Sequence, residues 1–313
     1  MEKKVSILIP GYKPQFFAEC LQSAIDQTYP NIEIIVSDDC PTNAIRDICA
    51  QYSNVIYLRN PEPDGLALSN IRHLAQVSTG YYVKYLFDDD ILMPDCVASL
   101  VETLEHTGAV LAFSPRWTID KNGAKLNLRP GYPDAVEKTL TGTDVTRRFA
   151  RHCLNLIGEF TTVLFPRSTI IGADGSVQMF TLNGASWVGL SDVPTFLHIL
   201  QQGSLAMHPK PLSMFRVHAQ SNSTPGVYKA FFRVIADWKL VVDYAIEIGA
   251  LNLLDRLRCY MVLMYMFKSW RSRTPNLKAE LDSLLDDVRN DARTKTLRGP
   301  AWLVLRSFDL VTR

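Results

Sequence analysis

Over its first 90 residues the chain alternates short unbroken apolar runs with stretches in which apolar positions recur every three or four residues. Val5 to Pro10 (VSILIP) is a β-branched run that stops at Pro10 and Gly11, the pattern of a buried parallel strand feeding a loop that carries Tyr12 and Lys13. Phe16 to Gln27 places Phe17, Leu21, Ala24 and Ile25 on one helical stripe, and Ile32 to Val36 returns to a strand that ends in Ser37, Asp38 and Asp39. A helix over Thr42 to Tyr52, a strand over Val55 to Leu58, a helix over Leu66 to Gln76 and an apolar run from Tyr81 to Phe87 continue the alternation. Such a βαβ rhythm predicts a mostly parallel sheet with helices on both faces.

The rhythm then weakens. Between Leu111 and Phe165, Gly, Pro and charge surround weaker strands at Val110 to Phe113 and Thr161 to Phe165, and loops are expected to cover the sheet edge there. Ser191 to Gln202 reads as a helix beginning near Asp192, and Ser204 to Phe215 contains one more strand. After Gly226 the periodicity is helical over Ala230 to Ile248, Leu251 to Trp270 and Leu277 to Val288. The polar stretch Asn222 to Gly226 sets a boundary, giving a first domain over 1–222 and a C-terminal helical region over 227–313.

Composition narrows the function classes. With 33 basic and 32 acidic residues the net charge is +1, so no global field favours nucleic acid, and any anion must be bound locally. The six cysteines lack metal-ligand spacing and no secretory apolar region precedes them, which points to reduced thiols in a cytoplasmic protein. The longest wholly apolar stretch, Cys259 to Phe267, has nine residues, against the ~20 that a membrane-spanning helix needs. The last segment sets Trp302, Leu303, Leu305, Phe308 and Leu310 beside Arg298, Arg306 and Arg313. It reads either as a basic amphipathic helix able to rest on the inner face of a membrane or as a helix packed on its own domain. The helical tail as a whole could equally clamp an acceptor or mediate homo-oligomerisation.

The candidate chemistry is carboxylate chemistry. Asp88, Asp89 and Asp90 close a predicted buried strand, and like charges ~5 Å apart cost on the order of 3 kcal/mol per pair at an effective dielectric near 20. A divalent cation relieves that repulsion, and the carboxyl end of a parallel strand is where open α/β sheets bind ligands. The alternative is a solvated acidic turn capping the next helix. Asp38 and Asp39, at the end of what is expected to be a neighbouring strand, suit the N–H and O–H groups of a nucleoside. Asp192 is either a helix N-cap or a general base aimed into a cleft. Arg216 and His218 follow a strand as a diphosphate partner and a third metal ligand, or are polar loop residues.

These segments resemble a family 2 glycosyltransferase of the GT-A fold. VSILIPGYK is similar to the family's opening strand and loop, IEIIVSDDC to its second strand with paired Asp, and GYYVKYLFDDDILMPDCV to its metal-motif strand with trailing Pro. The segment carrying Asp192, eleven residues before Gly203, resembles the catalytic acidic helix, and FRVHAQSNS the Arg-x-His segment that often ends the domain. The resemblance covers roughly residues 3 to 222. It implies an α/β GT-A type sheet with a C-terminal helical extension and an inverting reaction that uses a nucleotide-sugar donor, with uridine as the expected base. Pro10, Tyr12 and Asp39 would surround the base, Asn70 would face the donor, Asp88 would contact the ribose or the metal shell, and Arg216 the diphosphate. Asp89 would bind Mn²⁺ or Mg²⁺ with His218, and Asp192 would be the base. The acceptor would be a glycan, lipid-linked or protein-linked. Two departures stand out: Phe87 occupies the first position of the usual Asp-x-Asp-Asp motif, and Ser69 replaces the Arg that often precedes the donor-facing Asn. A non-catalytic sugar-nucleotide or glycan binder on the same fold is the competing function. A dinucleotide oxidoreductase lacks its glycine fingerprint, since Gly11, Tyr12 and Lys13 follow the first strand.

Overall fold

The computed structural model of the protein describes residues 2–63, 67–132, 136, 139–187, 189–218 and 234–273. In chain order the elements are β1 (Val5–Gly11), α1 (Phe17–Ile25), β2 (Ile32–Asp38), α2 (Ala44–Cys49), β3 (Val55–Arg59), α3 (Leu68–Val77), β4 (Tyr82–Tyr85), β5 (Ile91–Leu92) and α4 (Cys96–Thr107). They continue with β6 (Leu111–Phe113), β7 (Arg116–Ile119), β8 (Lys125–Arg129), β9 (Leu140–Thr141), α5 (Gly142–His152) and β10 (Val163–Pro166). The remainder are β11 (Thr181–Leu182), β12 (Ala185–Ser186), α6 (Asp192–Leu200), β13 (Ser204–Met207), β14 (Ser213–Arg216), α7 (Val234–Glu247) and α8 (Leu253–Arg273).

The chain forms two compact units, the first made of Met1–Gly142, Asn155–Ser186 and Ser191–Val227. Its central sheet has the order β3-β2-β1-β4-β10-β6-β13-β9. β3, β2, β1 and β4 run parallel, β10 is antiparallel to both neighbours, and β13 is parallel to β6. This is the expected mixed, mostly parallel α/β sheet. Every residue of β1 is buried, as befits a strand covered on both faces. Val5, Ile7 and Ile9 share one core with Phe17, Cys20 and Leu21 of α1, Ile45 and Cys49 of α2, and Val97, Leu100 and Leu104 of α4. α3 packs on β1 and β2, and α6 on β6, through residues outside that cluster, so helices cover both faces.

Three expectations need correction. Asp38 and Asp88 do not end neighbouring strands, because β1 lies between β2 and β4. Ser204 to Phe215 is two strands in two different sheets, since Pro209 and Pro211 interrupt the run and prolines cannot continue a ladder. Besides the weaker strands expected between Leu111 and Phe165, the part expected to be loops over the sheet edge holds two more strands: β7 and β8 join β5 and β14 in a second sheet of order β5-β14-β7-β8. It also contains α5, which buries Val145, Thr146, Phe149 and Ala150 at helical spacing.

The second unit gathers Thr143–Leu154, Trp187–Leu190 and Tyr228–Arg313. Within it Phe149 of α5 meets Trp238 of α7 edge-on at 6.3 Å, and Arg151 pairs with Asp255 of α8 at 3.1 Å. The expected boundary at 222–227, the helix over 277–288 and the terminal amphipathic segment over 299–313 lie outside the described residues. Among the described residues no helix is long and apolar enough to cross a membrane. All six cysteines are buried free thiols.

Candidate active site

The parallel strands bring their carboxyl ends to one edge of the central sheet, and Tyr12, Asp39 and the Asp88–Asp90 turn follow the ends of β1, β2 and β4 there. At the end of β1 and β2, the Asp39 amide donates to the Gly11 carbonyl at 2.8 Å, tying the two loops together beside buried Pro10 and exposed Tyr12. Asp38 serves the fold. Its carboxylate accepts from Tyr57 Oη at 2.8 Å and the Cys40 amide at 2.7 Å and lies 3.2 Å from Arg59 Nη1. Half-buried Asp39 is therefore the member of the pair left at the edge. Asn70, expected to face a donor, is 1% exposed and its side-chain amide donates to the Ser37 carbonyl at 2.9 Å, linking α3 to β2.

The three aspartates after β4 have three different surroundings. Asp88 Oδ2 accepts from the backbone amides of Tyr12 at 2.7 Å and Lys13 at 2.6 Å, so it holds the β1–α1 loop in place. Burial, with the neighbouring Asp89 charge, pushes its acid up to about 6 against the pull of those amides. Asp89 Oδ2 lies 2.9 Å from His218 Nε2 and 3.5 Å from Lys13 Nζ. Asp90 is fully buried; it accepts from Thr161 Oγ1 at 2.6 Å and the Arg216 amide at 3.1 Å. Burial and then Asp89 raise its acid well above the carboxylate range. Among the described residues no group of three or more His, Cys, Asp or Glu side chains is arranged to hold a metal. Asp89 and His218 are the two side chains here close enough together to share in holding a cation.

Arg216 is placed differently from the expected diphosphate contact. Its side chain is 1% exposed and bridges structural groups: Nε donates to the Asp89 carbonyl at 3.0 Å, Nη1 to the Asp120 carbonyl at 3.3 Å, and Nη2 pairs with Glu19 at 2.6 Å. The guanidinium also lies 4.5 Å from the centre of the Phe16 ring, which in turn lies 5.1 Å from that of His218. It locks β14 and the acidic turn into one piece.

Asp192 is the first residue of α6, and Ser191 stands in the cap position without a side-chain cap bond, so the N-cap reading of Asp192 fails. The half-buried carboxyl is pushed up to about 8, chiefly by burial, then by the charge of Glu159, with Arg116 opposing. Two residues missed in the sequence thus belong to the site. Glu159 Oε1 lies 2.8 Å from Arg116 Nε, and the Glu159 acid is itself raised by burial, with Asp89 adding to the rise. The Glu159 charge raises the acids of both Asp90 and Asp192. A lone carboxylate inside the apolar stretch Ile157 to Pro166 was the available signal.

The sequence profile of glycosyl transferase family 2 matches residues 6–168. Bacillus subtilis (strain 168) TuaG, named for teichuronic acid biosynthesis, is 27% identical over 209 residues, 64% of this chain and 74% of that protein. Glycosyltransferase GlyA of Streptococcus pneumoniae serotype 4 is 29% identical over 127 residues, which are 39% of this chain and 18% of GlyA. A crystal structure of S. aureus TarS in complex with UDP-GlcNAc superposes with a TM-score of 0.61 at 14% identity, covering 88% of this chain and 76% of that one. The likeness to TarS is one of fold.

Proposed function

Because the chain belongs to glycosyl transferase family 2, we propose that it moves a sugar from a nucleotide-diphosphate donor to a hydroxyl of a glycan or glycoconjugate, with inversion at the anomeric carbon. The observation that supports this reading is the placement of Asp39 and Asp89 just past the carboxyl ends of the parallel strands, with Asp192 opening α6, whose following strand β13 runs parallel to β6. A uridine donor carrying a hexosyl or N-acetylhexosaminyl group is favoured by TarS, whose related fold was solved with UDP-GlcNAc. TuaG, named for teichuronic acid biosynthesis, favours a glycan acceptor.

In this reading Pro10, Tyr12 and Asp39 hold the base, and Asp88 keeps their loop in register through its two amide bonds. Asp89 and His218 are the residues that would hold a divalent cation, Mn²⁺ or Mg²⁺, whose charge would stabilise the departing diphosphate. Asp192 takes the proton of the acceptor hydroxyl while the hydroxyl oxygen bonds to the anomeric carbon. The bond from that carbon to the diphosphate oxygen breaks, and its electron pair leaves with the nucleotide. A carboxylate pushed up to about 8 is a stronger proton acceptor than an exposed one, which suits a base acting near neutral pH. One displacement needs one base and no covalent enzyme intermediate.

A panel of nucleotide sugars, screened by thermal shift with and without Mn²⁺, tests the donor assignment. A Mn²⁺-dependent rise in melting temperature with UDP-sugars is expected. No rise with any nucleotide sugar would overturn it.

A further inference from the structure

Arg116 and Glu159 meet because of the sheet's register. β6 and β10 are antiparallel, with Phe113 opposite Val163, and the Ser114 amide donates to the Thr162 carbonyl at 3.2 Å. Arg116 therefore leaves the carboxyl end of β6 just where Glu159 approaches β10. Gly158 makes room for the contact: a Cβ built on it would lie 2.5 Å from Arg116 Nη1 and 2.7 Å from Cζ, and its φ of +104° is open to glycine alone.

The same edge receives Asp192. α6 leads directly into β13, which is parallel to β6, so the start of α6 returns to the carboxyl end of β6. Nine helical residues span about 13 Å, close to the length of the four-residue strand that follows. Packing fixes the register. Phe160, next to Glu159, meets Phe196 edge to face at 5.4 Å, and Phe196 lies one turn from Asp192 on the same helix face. Phe160 is held further by Tyr85 at 5.3 Å and Phe180 at 6.1 Å. Among the described elements, the strands that pack most on α6, β6 (LAF) and β11 (TL), carry no titratable side chain, and His198 is at the far end of the helix. Glu159 and Arg116 are the charges that act on Asp192.

We propose that Arg116 and Glu159 are positioning residues, an opposed charge pair that governs when Asp192 is free to take a proton. Glu159 makes the ionised carboxylate harder to form and hence more basic once formed; Arg116 restrains Glu159 and favours the ionised form. Neither touches the reacting atoms in this account. The proposal rests on the reading of Asp192 as base for its functional meaning, and its physical content can be measured without turnover.

The test is a carboxyl ¹³C titration of aspartate-labelled protein from pH 5 to 9, with the Asp192 resonance assigned by its loss in Asp192→Asn. Glu159→Gln should lower the Asp192 midpoint by about one unit, and Glu159→Asp, which keeps the charge, should restore most of it. The double variant Arg116→Gln/Glu159→Gln buries no unpaired charge and guards against misfolding of the single one; its midpoint should fall by less than in Glu159→Gln. An Asp192 midpoint unmoved in both Gln variants, or moved equally by Glu159→Asp and Glu159→Gln, would overturn the proposal. Full turnover in Asp192→Asn would instead remove the base reading and leave the titration result standing.

Discussion

Nε2 of His218 lies 2.9 Å from Oδ2 of Asp89, so a residue two positions past β14 returns to the acidic turn after β4. A cation gripped by this pair needs both members. Asp89→Asn should abolish the Mn²⁺-dependent part of the donor thermal shift, and His218→Ala should weaken Mn²⁺ binding at least about tenfold, as measured by calorimetry with UDP present. Chelation with EDTA should reproduce the Asp89→Asn behaviour in the wild type. Equal donor shifts with and without Mn²⁺ in the wild type would remove the metal from the account.

Asp88 predicts a different phenotype from Asp89, although they are adjacent. Its Oδ2 holds the amides of Tyr12 and Lys13, and leaving such donors without an acceptor costs about 1–3 kcal/mol. Asp88→Ala should therefore destabilise the protein by about that amount in urea unfolding and raise the donor KM more than it lowers kcat. A loss of kcat with an unchanged KM would place Asp88 in the chemistry.

Arg216 should behave as a structural residue. Removing the guanidinium exposes Glu19 to no partner cation there and strips the Asp89 and Asp120 carbonyls of a donor. Arg216→Met should cost about 2–4 kcal/mol of stability, while whatever folded protein remains keeps its affinity for UDP. A stable variant with lost UDP affinity would restore the diphosphate contact expected from the sequence.

The buried acids fix the sign of the pH dependence. Asp88 and Asp192 sit at about 6 and about 8 in the folded state, above the ordinary carboxylate value of 3.8, so the folded state holds those protons more tightly than the unfolded chain. Their contribution is fully present below pH ~4 and is lost as pH rises through about 6 and about 8. Glu33 has the opposite sign. Its hydrogen bonds to Lys4, Ser6 and Thr79 outweigh burial and hold it at about 2, so its contribution is present above about 4.5 and lost as pH falls through about 2. Calorimetric melting temperatures should peak near pH ~4 and decline toward pH 9. Asp192→Asn should raise the melting temperature at pH 9 by about 2–5 °C and change it little at pH ~4; no pH-dependent gain would show that the carboxyl is not strained by its surroundings.

What could be read from the sequence was the part written in local period. β1 to β4 and α1 to α3 follow from unbroken apolar runs and helical stripes, and the acidic turn was visible because three carboxylates after a buried run are locally expensive. The second sheet was not visible: β5 and β14 are two and four residues long and gain stability only from partners distant in sequence. β8 is exposed throughout and carries no buried face to recognise. Glu159 and Arg116 escaped for the same reason, since their relation is created by the β6/β10 register. Arg216 and Asn70 were identified by type and motif, but the burial that turns them into structural ties is a tertiary property.

The central claim is that Asp192 accepts the acceptor's proton at the edge where Asp89 gathers the donor's phosphates. The direct measurement pairs donor affinity with turnover in one variant: UDP-sugar binding by calorimetry and UDP release under saturating donor for wild type and Asp192→Asn. The account predicts unchanged donor affinity and a turnover reduced by at least about a hundredfold. Wild-type turnover in Asp192→Asn with intact donor binding would contradict it.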